Sequence, residues 1–254
     1  IHNICINQIR EPICPMCRHE FIRTNISIQP NNYNIVTVYN DSPFYIYNEI
    51  LSDVYGARFQ EYGATAKGSF WLTRQRQEVR FHIIAQEVAR LGDGAAVDIA
   101  DIGCGYGAFA NYLLEKGDPE ISKYTGYDIC PQLIEECREQ SQSIAFNFEV
   151  GSAPIFPTMF TVMSGTYNLS ATSDIENWEK YVFNCLERCW THTTVAMIFN
   201  LQIENQSMIS KSNIYYASKV AILEACIKRF GPAKVILNNE IPKDATFVIV
   251  RAGK

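Results

Sequence analysis

Val97-Asp98-Ile99-Ala100-Asp101-Ile102-Gly103-Cys104-Gly105-Tyr106-Gly107-Ala108-Phe109 carries most of the information in this chain. The apolar run from Val97 to Ile102 reads as a buried strand. It passes directly into glycines at every second position and then into a helical pattern from Gly107 to Lys116. Glycine tolerates positive φ and lets the backbone approach a ligand closely. The helix that follows offers unpaired N–H groups at its start. In open α/β sheets, ligands sit at the carboxyl ends of the strands, where such a loop lies.

The pattern continues on both sides of this stretch. Downstream, strands are expected at Tyr124–Tyr127, Ala145–Val150, Phe160–Met163 and Thr193–Phe199. Between them, Pro131–Gln142 reads as a helix with proline in its first turn, where a missing N–H costs nothing. Ile175, Trp178, Val182, Leu186 and Cys189 form the apolar stripe of a helix over Asp174–Trp190. Tyr216, Val220, Leu223, Ile227 and Phe230 mark another helix, closed by Gly231-Pro232. The last two strands, Lys234–Leu237 and Thr246–Arg251, are joined by a segment too short for a helical crossover, so the final strand should run antiparallel. The expectation is a Rossmann-like α/β sheet of seven strands, six parallel plus an antiparallel C-terminal strand, with helices on both faces. Upstream, Pro43–Tyr55 and Gln75–Leu91 read as helices joined by a glycine-containing connection, Gly56–Ser69. Together, residues 43–94 make an N-terminal helical cap.

Composition narrows the function classes. The chain has 254 residues, 47% hydrophobic and 19% charged, which excludes wholesale disorder. A net charge of -5 disfavours nucleic acid as a partner. No apolar run approaches the roughly 20 residues of a membrane helix. The nine cysteines are odd in number and show no disulfide framework, which points to a reducing, cytoplasmic setting.

Gly103, Gly105 and Ala108 fit the dinucleotide pattern G-x-G-x-x-G/A. Asp101, however, stands two residues before the first glycine, where a carboxylate disfavours a pyrophosphate and suits an ammonium group. Read as acid-x-G-x-G-x-G, Asp101 to Gly107 resembles the class I S-adenosylmethionine (SAM)-dependent methyltransferases. In that family the loop, here Gly103, Cys104, Gly105 and Gly107, holds the methionine part of the cofactor. The resemblance implies that Asp128, with Ile129 after it, binds the ribose hydroxyls. A nicotinamide reading would also place an acid there. Gly151 and Ser152 stand at the adenine position, with serine where many members carry an acid. The acid- or Asn-Pro-Pro-aromatic motif of amino- and nucleic-acid-methylating members is absent after the fourth strand, which disfavours exocyclic-amine acceptors. Ser164, Tyr167 and Asn168 stand there instead and are the candidates to border the transferred methyl. Gly68-Ser69-Phe70-Trp71 with Arg80 also resembles the family, and Trp71 and Arg80 are candidates to cover the cofactor. The resemblance spans about residues 43–254.

Each residue also has a plainer reading. Cys104 can be a small packing residue, and Trp71 and Arg80 can simply pack the cap on the sheet. Tyr167 and Asn168 can shape a strand end, and His82 and His192 have no acidic partner identifiable in sequence. The implied activity is methyl transfer to a small-molecule or protein acceptor, with SAM as cofactor. Two rivals stand beside it: an NAD-dependent oxidoreductase, and a non-catalytic scaffold fused to a ubiquitin-ligase finger.

The N-terminus supplies the basis for that second rival. His2, Cys5, Cys14 and Cys17 have zinc-ligand spacing, and Cys14-Pro15-Met16-Cys17-Arg18 resembles the second half of a RING-type finger. Residues 1–28 are expected to be a truncated remnant, followed by a linker over 29–42. The chain begins at Ile1, which reads as a processed product or a fragment. The resemblance implies zinc, and a ubiquitin-conjugating enzyme as partner, only if the finger is complete in the parent protein. A collapsed Cys3His site and free thiols are the other readings.

Overall fold

The strands over Val97–Ile102, Thr158–Met163, Thr193–Glu204 and Asp244–Val250 are buried on both faces along most of their length, as strands covered by helices on each side must be. The computed structural model describes residues 44–253, apart from 72 and 142. Its helices are α1 (Tyr45–Tyr62), α2 (Arg74–Gly92), α3 (Ala108–Lys116), α4 (Pro131–Gln140), α5 (Ile175–His192) and α6 (Lys219–Phe230). Its strands are β1 (Val97–Ile102), β2 (Ile121–Asp128), β3 (Phe146–Val150), β4 (Thr158–Met163), β5 (Thr193–Glu204), β6 (Met208–Ile209), β7 (Tyr215–Ser218), β8 (Ala233–Leu237) and β9 (Asp244–Val250). A single 3-10 turn lies at Lys67–Ser69.

The main sheet runs β3-β2-β1-β4-β5-β9-β8. β3, β2, β1, β4 and β5 are mutually parallel. β9 pairs antiparallel with both β5 and β8, so β8 again points with the parallel set. The expected architecture of six parallel strands and one antiparallel C-terminal strand is therefore present. β6 and β7 are additional: β7 joins the far end of β5 at Ile203 and Glu204 and pairs with β6.

One face of the sheet packs on α2, α3 and α4 through Phe81, Ile84, Val88, Phe109, Leu113 and Ile134. The other packs on α5 and α6 through Trp178, Val182, Leu186, Ile222 and Cys226. Each large side chain buried this way stabilises the fold by about 1.5–3 kcal/mol. The helices begin where their caps dictate. Thr73 accepts from the Arg76 N–H at 3.3 Å before α2, and Asp174 accepts from the Asn177 N–H at 3.0 Å before α5.

Several boundaries differ from those expected. α1 does not stop at Tyr55 but runs through Gly56 to Tyr62, because Gly56 lies against α4, 3.3 Å from Gln132 at the position a Cβ would take. The 56–69 connection is thus mostly helix. Tyr216, expected to open the last helix, lies instead in strand β7 (Tyr215–Ser218), and Ser218 caps α6. β2 and β5 extend beyond their expected ends to Asp128 and Glu204. The remnant over 1–28 and the linker over 29–42, with His2, Cys5, Cys14 and Cys17, lie outside the described residues.

Candidate functional site

The strand order reverses between β1 and β4, and the carboxyl ends of β1 to β4 open there into a cleft, the position at which open α/β sheets take ligands. Ile102, Gly103 and Gly105 from the β1 end border the cleft, as do Asp128 and Ile129 from the β2 end, Gly151 and Ser152 after β3, and Ser164 to Tyr167 after β4. The cap closes the cleft with Leu51 and Tyr55 of α1, then Ser69 and Trp71. Leu133, Tyr181 and Cys185 come from α4 and α5.

The glycine loop is held by its own backbone. The N–H groups of Gly103 and Cys104 both donate to the Tyr127 carbonyl, at 2.7 and 3.0 Å. Gly103 has φ 74°, and a Cβ there would lie 2.6 Å from Thr166 Cγ2, so the position requires glycine on both counts. The Thr166 hydroxyl in turn donates to the Ile102 carbonyl at 2.7 Å, tying the β4 turn to the β1 turn.

Asp128 stands at the centre of the cleft wall. Its Oδ2 accepts from the Gly105 N–H and its Oδ1 from the Cys130 N–H, both at 2.9 Å. Burial pushes its pKa up to about 6, although the backbone N–H bonds from Cys130, Gly105 and Ile129 pull it back. A carboxylate has about four acceptor positions, so capacity remains for a ligand's hydroxyls. Tyr55 faces the same carboxylate, and burial followed by the Asp128 charge holds its phenol well above the ordinary value.

Five sequence candidates do not border the cleft. Asp101 lies beneath the loop, fully buried. Its Oδ2 accepts from the Tyr124 hydroxyl at 2.5 Å, while Oδ1 has no partner. Burial raises its pKa to about 7. Cys104 is buried against Gly126, and Gly107 packs on Cys137 and Phe148. Asn168 Oδ1 accepts from the Gln202 N–H at 2.9 Å, which makes this residue a brace for the β4 turn. Arg80 forms a buried ion pair with Asp244, and its guanidinium stacks 4.2 Å from the ring centre of Trp71. Trp71 does border the cleft and also covers Gly165.

The polar accounting points to a ligand. Among the described residues, three buried hydroxyls with no partner border this cleft: Ser69, Ser164 and Tyr167. Buried polar groups are nearly always paired, so such a concentration in a cavity marks where a bound molecule would complete the bonding. Just behind the cleft, Asn200 Oδ1 accepts from the Gly165 N–H at 2.7 Å and holds that turn in place.

Sequence reasoning missed Leu51, Tyr55, Leu133, Thr166, Tyr181 and Cys185 as lining residues, and Asn200 and Asp244 as supports. Asn200 carried a signal, being the first polar residue in the apolar run that begins at Val195. The others are ordinary residues on helices or turns, and nothing in their spacing marks the end of the sheet they reach. Among the described residues no group of three or more His, Cys, Asp or Glu could hold a metal ion. No helix there is long and apolar enough to cross a membrane.

Comparison with known proteins agrees with this geometry. Residues 99–189 match the sequence family described as methyltransferase domain. A protein of Mycobacterium tuberculosis provisionally named a methyltransferase is 24% identical over 157 residues, covering 61% of this chain and 93% of that protein. Among solved structures, a SAM-dependent methyltransferase from Leishmania major superposes with a TM-score of 0.59 at 11% identity, covering 79% of this chain and 82% of the other. The DhpI-SAM-HEP complex gives a TM-score of 0.54 at 13% identity, covering 79% and 95%. The magnesium protoporphyrin IX methyltransferase of Synechocystis with bound SAM gives 0.52 at 11% identity, covering 70% and 80%. The fold of this chain is that of the SAM-dependent methyltransferases.

Proposed function

We propose that this chain transfers a methyl group from SAM to a small-molecule or protein acceptor. The observation that carries the reading is the cleft itself: a glycine loop pinned to Asp128, faced by three buried hydroxyls without partners. The matched methyltransferase-domain family and the shared fold support it. The antiparallel strand β9 inside the sheet weighs against the nicotinamide alternative.

SAM, when bound, supplies a methyl group already activated by the positive sulfur, so the protein's part is positioning and the exclusion of water. In this reading Asp128 accepts the ribose hydroxyls while its two backbone bonds keep the carboxylate rigid. Gly103, Cys104, Gly105 and Gly107 shape the loop that takes the methionine part. Asp101 contributes charge from beneath the loop, and a cation placed above would draw off its proton. Ile129, Gly151 and Ser152 flank the adenine end. Ser164 and Tyr167 border the methyl, in a turn held by Asn168, and Trp71 backed by Arg80 closes the cleft. Residues 43–254 form the transferase domain with 43–94 as its cap. The N-terminal zinc reading applies only to an intact finger in a longer parent.

Calorimetric titration with S-adenosylhomocysteine tests the proposal, with Asp128→Ala and NADH as controls. Micromolar binding that is lost in the variant, with no heat from NADH, is expected. A folded protein that ignores S-adenosylhomocysteine would sink the reading.

A further inference from the structure

The acceptor's chemistry is constrained by what borders the cleft, and the constraint rests on the methyl-transfer reading above. Asp128 is the one side chain of ordinary charge among the described lining residues; Lys, Arg, His and Glu contribute none. Asp128 is occupied by two backbone N–H groups and lies at the β2 end, beside Tyr55. The Arg80 guanidinium sits behind the Trp71 ring and is neutralised by Asp244. Arg188 is engaged with the Ser152 hydroxyl at 3.3 Å. The rest of the lining is uncharged, and its polar part comes mainly from Tyr55, Trp71, Tyr167 and Tyr181 with Ser69 and Ser164, beside aliphatic Leu51 and Leu133 and the thiol of Cys185.

Each acceptor class asks something different of such a site. A hydroxyl, phenol or carbon acid must lose its proton to a base as the methyl arrives. Burial holds the phenols of Tyr55, Tyr167 and Tyr181 well above their ordinary value, so they stay protonated and cannot serve as that base. A carboxylate or thiolate needs a cation or strong donors to survive desolvation. A neutral nitrogen needs neither. Its lone pair attacks the methyl carbon as the carbon–sulfur bond breaks, the sulfur keeps that bonding pair, and the product is a methylated ammonium. Aromatic faces attract such a cation through the negative potential over the ring. The ammonium then gives its proton to water after leaving the cleft, or keeps a permanent charge if the amine was tertiary.

We infer that the acceptor is a small neutral amine, bound as its free base in the cleft beside Trp71 and the Ser164–Tyr167 turn. The hydroxyls of Ser69, Ser164 and Tyr167 supply hydrogen bonds to its polar atoms, and the tyrosine and tryptophan faces meet the charge that develops on nitrogen.

The test begins by titrating S-adenosylhomocysteine into the full chain. Failure at that step refutes methyl transfer itself and separates that outcome from the acceptor question. With cofactor binding established, four probes on one frame are compared: benzylamine, benzyl alcohol, benzyl mercaptan and phenylacetate. Binding to the S-adenosylhomocysteine-loaded protein is read by calorimetry, and methylated product by mass spectrometry with SAM. Benzylamine should bind and be methylated at least tenfold better than the other three. Across amines of differing basicity, kcat/KM should rise about tenfold per pH unit and level off at each amine's own pKa. Methylation of the acid, alcohol or thiol in preference, absence of any amine product from cofactor-competent protein, or a break at one fixed pH for every amine each overturns the inference.

Discussion

Arg80 and Asp244 form an ion pair whose side chains are only 10% and 4% exposed, sealed by the Trp71 ring. Burial is the largest influence on both groups: it lowers the Arg80 pKa and raises that of Asp244, against their mutual attraction. The pair therefore gains little over an apolar replacement, but either member alone would be a buried, uncompensated charge. Replacing one partner, as in Arg80→Met or Asp244→Leu, should cost about 3–5 kcal/mol. For a domain of this size that corresponds to a fall in Tm of about 6–20 °C. The double replacement should recover most of the loss and end near the parent, or above it by up to about 4 kcal/mol. Urea denaturation of the four proteins, with m-values compared, gives the coupling energy directly. Single losses below about 1 kcal/mol, or losses that simply add, would refute the account of a sealed pair.

Three further outcomes follow from the site. Gly103→Ala should destabilise the chain by about 2–5 kcal/mol, combining left-handed backbone cost with a clash at Thr166, 2.6 Å away. Gly105→Ala, whose Cβ would meet Ser69 Oγ at an ordinary 3.4 Å, should lose only about 1–2 kcal/mol in the same urea melts. S-adenosylhomocysteine affinity should fall as pH is lowered through about 6, where Asp128 takes up its proton; Asp128→Asn should bind weakly with no such pH dependence. Asp101 has a folded pKa of about 7 against an ordinary 3.8, so the native state holds a proton that the unfolded state has released. Its contribution is therefore fully present below about pH 4 and is lost as pH rises through 7. Asp101→Asn should raise the urea midpoint at pH 8 relative to the parent, and an unchanged or lowered midpoint there would contradict the assignment.

The sheet, its antiparallel last strand and the glycine loop were legible because each is written locally. Apolar runs, helical stripes and glycine spacing act over a few residues, and a short connection between two strands leaves a single pairing direction. Boundaries were legible only where a cap or breaker marks them, as at Asp174 and Gly231-Pro232. Where pairing with distant residues decided the conformation, the local pattern misled. Tyr215–Ser218 has the spacing of a helix start, yet it is a strand because β6 and the end of β5 pair with it.

The candidate site divides in the same way. Asp128 and the loop glycines follow one another at spacings that the β-turn-α geometry sets, so their convergence could be read directly. The sequence determined on its own that this is an α/β chain with a ligand loop flanked by two acids. It did not determine which of those acids meets the cleft, because that depends on the side of β1 to which Asp101 points and on Tyr124 lying there to hold it. Nor did it show Tyr55, Tyr181 and Trp71 closing around one space. These residues come from a helix before the sheet, a helix after β4 and the end of the cap, and only burial of the two apolar faces brings them together.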